Sequence, residues 1–177
     1  MQAHKIFSRA GVIFLGTISL LLSDCTDQES VSITLSQPVV FSINEATVNS
    51  SGKDFEINAS LDIRNSAELT DYINKIEAIE IKHIEYIVSG SSASDISLTN
   101  SKIETSSGFD VGTAQTIQFS NNNTGEFMLQ PPGVNDLSTR LKGAGQDNMK
   151  LLGRLSRTPL AATLTVNFRL TVKARAN

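Results

Sequence analysis

The chain has 177 residues, a formal net charge of −3, no tryptophan and a single cysteine. One cysteine excludes an intramolecular disulfide framework and any zinc site built on cysteine pairs. The slight acidity, with basic residues scattered, excludes the continuous basic surface that nucleic-acid binding needs; the close pairs Arg154/Arg157 and Lys173/Arg175 read as solvated faces.

Lys5 and Arg9 precede an uncharged run from Ala10 to Leu22. That run has the length of a signal-peptide core and is too short to cross a hydrocarbon layer of about 30 Å as a helix. It ends at Leu22-Ser23-Asp24-Cys25, which resembles the lipobox of bacterial lipoproteins. In that motif an aliphatic residue and two small ones precede the cysteine to be acylated. Leu22 and Ser23 fit; Asp24 stands where Gly, Ala or Ser is usual. The resemblance implies a signal peptide over residues 1–24, lipidation of Cys25, and a lipidated cysteine with polar tether over 25–30. Two or three acyl chains on that cysteine would hold the protein stably at a membrane, where a single chain would not. Removing Lys5, Arg9 and Asp24 takes the net charge from −3 to −4.

Residues 31–177 are read as one domain, long enough to bury a core without metals or disulfides. Val31, Ile33 and Leu35 alternate with polar residues, and Val39, Phe41 and Ile43 resume the pattern after Pro38. The proline predicts an edge position or a bulge. Asn49-Ser50-Ser51-Gly52 is a turn, and Phe55 to Ile63 alternate as a half-buried strand. A short helix or helical turn is expected over 67–74, then an isoleucine-rich strand over 76–88, with a single long helix from Ala67 to Val88 as the alternative. The alternation slips between Ile81 and Ile84, which a bulge at Lys82-His83 absorbs.

Short strands are expected around Ile96 to Ile103, at Phe109 and Val111, and at Ile117 and Phe119, before a turn at Asn121–Gly125. Val134, Leu137 and Leu141 predict two helical turns with Asn135 or Asp136 near the cap, ended by Gly143 and Gly145. Met149 to Leu155 is a strand, and Leu164, Val166, Phe168, Leu170 and Val172 form the apolar face of the last one. The expected fold is an all-β antiparallel sandwich, immunoglobulin-like, with one or two short helices.

No catalytic constellation emerges. His83, the one histidine after residue 24, has no H-E-x-x-H partner, and Ser89-Gly90-Ser91-Ser92 does not complete a nucleophile elbow. Asn121, Asn123 and Glu126 offer oxygens to a cation but suit a turn better. Gly143-Ala144-Gly145 lacks the third glycine of a phosphate loop. Tyr72 and Tyr86 sit on apolar-periodic positions and are expected in the core, which leaves few stacking platforms for sugars. No cofactor or metal is expected, and the chain is read as a non-enzyme.

The signal motif, the Ile-rich segment from Ile73 to Tyr86 and the closing strand from Leu160 to Ala174 resemble lipoproteins of Bacteroidota with an immunoglobulin-like sandwich. In that group an acidic or polar cluster after the cysteine acts as a surface-export signal, a role that falls here on Thr26, Asp27, Gln28 and Glu29. The resemblance implies an outer-membrane, lipid-anchored binding or accessory module whose partners are the membrane and envelope proteins or glycans. A carbohydrate-binding or polysaccharide-processing lipoprotein and a structural subunit of a surface filament or adhesin are the alternatives.

Overall fold

The computed structural model describes residues 29–176. The calls on residues 1–28, including Leu22, Ser23, Asp24, Cys25, Thr26, Asp27 and Gln28, lie outside the described residues. Nine strands run β1 (Ser30–Asn49), β2 (Lys53–Asp62), β3 (Ile76–Ser89), β4 (Ser97–Glu104), β5 (Asp110–Gln118), β6 (Thr124–Glu126), β7 (Met128–Leu129), β8 (Gln146–Leu155) and β9 (Thr158–Arg175). One helix, α1 (Pro131–Ala144), separates β7 from β8, and two single 3₁₀ turns, Ala67–Leu69 and Ile73–Lys75, precede β3.

The strands form two sheets, ordered β1-β9-β3-β6 and β2-β8-β4-β5-β7, with every pairing antiparallel. The expected all-β sandwich is therefore what the chain forms. Its connectivity is that of a jelly roll and not the immunoglobulin-like one expected, because alternation fixes which residues face the core but not which strands pair. The partners are nested: β4 with β5 innermost, then β3 with β6, β2 with β8, and β1 with β9 outermost. Successive nested pairs fall in opposite sheets, so the chain crosses the core repeatedly and both ends meet in one strand pair.

Alternation decides which side chains fill the space between the sheets. On β9, Leu160, Leu164, Val166, Phe168, Leu170 and Val172 are all essentially inaccessible, and Leu98, Ile103, Met149, Leu151 and Leu155 are their buried counterparts in the other sheet. Removing one such side chain from water stabilises the fold by about 1.5–3 kcal/mol. The slip in β3 lies where the sequence places it: the register against β9 shifts between Ile81 and His83, restoring Ile84, Tyr86 and Val88 to the core.

Pro38 takes the edge position that was one of its two expected placements: β1 lies at the sheet edge and keeps unbroken register with β9 from Ser30 to Glu45, with no bulge at the proline. Three local expectations change. Residues 110–118 form one strand, not two, because Gly112 to Thr116 carry no apolar alternation yet keep pairing with β4. The helix begins at Pro131, so Gln130 and not Asn135 or Asp136 stands at the N-cap position, without a side-chain capping bond. Prolines at the first two helical positions forfeit N–H groups that have no intrahelical acceptor, so they start the helix where they seem to forbid it. Gly143 stays helical; Gly145 alone ends the helix, in the left-handed conformation (φ 71°) with its N–H donated to the Leu141 carbonyl.

Helix α1 buries Leu137 and Leu141 and packs on β3, β5 and β8. It covers the flank of β3 that the three-residue β6 leaves unpaired.

Candidate functional site

Strand register assigns each loop to one end of the sandwich. Ser30 pairs with Arg175, Ile76 with Ala174, and Asp62 with Gln146, so the start of β1, the end of β9, the loop 63–75 and the C-terminus of α1 share an end. The Ala176 N–H donates to the Glu29 carbonyl at 2.7 Å, extending the outermost pair to the first described residue. The turns at 50–52 and 119–123 and the loop 90–96 lie at the opposite end, where Lys53 pairs with Leu155 and Ser97 with Gln118.

At the first end a cleft of about 490 Å³ is lined by Asn74, Lys75, Ile76, Glu77, Lys142 and Arg175. The 3₁₀ turn presents Asn74 and Lys75, the last turn of α1 presents Lys142, and β9 presents Arg175. Arg175 donates Nε to Glu77 Oε1 at 2.8 Å. Among the described residues, the charged side chains of the lining are Lys75, Glu77, Lys142 and Arg175. A smaller hollow of about 120 Å³ adjoins it, sharing Asn74, Ile76 and Lys142 and reaching Arg64 and Gly145. Arg64 is committed: it donates to both Asp62 oxygens, at 2.9 and 2.6 Å, and its stem lies where a Cβ on Gly145 would stand. That pairing holds the Asp62 carboxyl below its usual range, with partial burial opposing.

A second concentration of polar groups ties the β4–β5 loop to α1 and β8. Ser106 donates its N–H and its hydroxyl to the Asp147 carboxylate. Ser107 Oγ donates to Asp136 Oδ2 at 2.7 Å, and Arg140 bridges the two halves through Asp136 at 2.8 Å and Ser106 Oγ at 3.2 Å. The guanidinium holds the Asp136 carboxyl low, with hydroxyl donors adding to it and burial opposing. The Ser106 hydroxyl, donated to one carboxylate and contacted by a guanidinium, latches the β4–β5 loop to β8 and α1.

The residues singled out from the sequence are dispersed. His83 is exposed on the β3 bulge. Ser91 lies in the 90–96 loop, its N–H donated to Asn121 Oδ1 at 2.8 Å, and Asn123 Nδ2 donates to the Gln118 carbonyl. Asn122 between them adopts φ 66°, so these asparagines serve the turn. Among the described residues, no three His, Cys, Asp or Glu side chains group to hold a metal. Tyr86 is buried against Phe127, ring centroids 5.6 Å apart in an edge-to-face arrangement. Burial pushes its hydroxyl's pKa up, opposed by a hydrogen bond with Asn123. Tyr72 is only half-buried, a correction to its expected core position: it precedes a 3₁₀ turn at the rim, where helical periodicity does not carry it inward. Arg154 pairs with Asp54 and Arg157 with Asp95. Lys75 and Lys142 escaped the sequence reading, and Arg175 entered it only with Lys173 as a solvated pair, because the three are far apart in the chain and belong to no motif.

No protein-family model matches the chain, and no curated protein matches it. Among solved structures it is similar to that of Desmodium yellow mottle tymovirus, at 14% identity with a TM-score of 0.41 over 100% of this chain and 98% of that one. It is also similar to that of turnip yellow mosaic virus, at 14% identity with a TM-score of 0.36 over 83% of this chain and 96% of that one. At these values the likeness is remote.

Proposed function

We propose that this chain is a non-catalytic, lipid-anchored accessory module of the bacterial cell envelope, tethered through Cys25 at the outer membrane. One observation carries the mechanical part of this reading. The chain enters the sandwich at Ser30, in the outermost strand pair and at one defined end. Five peptide steps from Cys25 reach at most about 18 Å, whereas the 20 residues of β1 run for about 65 Å along their path. A lipid on Cys25 would therefore hold the Ser30/Arg175 end at the membrane and direct the 50–52, 90–96 and 119–123 turns away from it.

The test is metabolic labelling with an alkyne fatty acid, followed by separation of membranes, for wild type and Cys25→Ala. Labelled wild type in the outer-membrane fraction, with the label lost in Cys25→Ala, is the expected result. An unlabelled wild type sinks the reading. Cross-linking in intact cells then identifies what the outward turns touch.

A second reading, a subunit that assembles by strand addition, is favoured by β1 itself: a 20-residue edge strand in which Glu45 is the one charged side chain. Concentration-independent monomers in analytical ultracentrifugation would remove it.

A further inference from the structure

We draw no further inference here: the strongest candidate, the uncharged row of Val40, Thr165, Ile87 and Thr124 across the outer face of the β1-β9-β3-β6 sheet, is an unpartnered face, and nothing in the structure shows what covers it.

Discussion

Two glycines of α1 show how one hydrogen-for-methyl exchange has opposite consequences within ten residues. A Cβ at Gly133 would stand 1.9 Å from the Asp110 carbonyl oxygen, an atom of the β5 backbone that cannot turn aside. Gly133→Ala must push the first turn of the helix off the sheet and is expected to cost about 2–3 kcal/mol. A Cβ at Gly143 would meet nothing within 4 Å. Gly143→Ala is expected to add about 0.5–1 kcal/mol through helix propensity and a less flexible unfolded chain. Urea midpoints for the two variants check both signs. The Asp136 carboxyl gives a pH-dependent counterpart. Its folded pKa lies below the ordinary carboxylate value because of Arg140, so its contribution is full above the unfolded pKa of about 3.9 and is lost as pH falls through it toward the folded value. Asp136→Asn should therefore destabilise at pH 7 and differ much less from wild type at pH 3. A gap that stays constant between the two would show that the Arg140 pair has no part in it.

At the scale of elements, the sheet edges are treated unequally. The edges at β6 and β7 are three and two residues long, and β2 carries Lys53, Asp54, Glu56 and Asp62 along its length. Short and charged edges are the usual protection against pairing with another chain. Strand β1 has 20 residues and one charge, and Pro38 stands near its middle with Val40, 50% exposed, beside it. A proline inside an edge strand is tolerated where its absent N–H would have faced outward, and there it interrupts the row of donors that an incoming strand would use. Pro38→Thr restores that donor and a good strand former. The variant should self-associate at concentrations where wild type sediments as a monomer, with little change in its urea midpoint. Monomeric Pro38→Thr would mean that the β1 edge is protected by something other than its proline. The same strand marks a limit of sequence reading. Alternation located β1, β2, β3 with its bulge, and β9 to within a few residues, since one buried face writes itself into the chain. It missed the start of α1, where two prolines read as a stop, and the unity of β5, whose small polar residues carry no alternation.

At the scale of the molecule, the sequence is silent on the two features that matter most, and for one reason. Strand order and the cleft both depend on which distant segments meet: Ser30 with Arg175, Lys75 with Lys142. The nested topology also orders the entropy that folding must overcome. Pairing β4 with β5 closes only the loop from Glu104 to Asp110, whereas pairing β1 with β9 joins Ser30 to Arg175 across almost the whole chain. Loop-closure cost grows slowly with length, but the outer pair gains its full partner only after β3 has also met β9. The transition state should therefore hold the inner pairs and lack the outer one. Ile103→Val and Ile117→Val, both in the buried face of the inner pair, should each cost about 0.5–1.5 kcal/mol and appear mainly as slower folding. Val39→Ala, buried in β1, should appear mainly as faster unfolding with the folding rate nearly unchanged. Stopped-flow chevrons on the three variants decide the matter. If Val39→Ala slows folding as much as the inner variants do, the outer pair is already formed at the barrier. In that case the first strand of the sandwich belongs to the folding nucleus and is not its last addition.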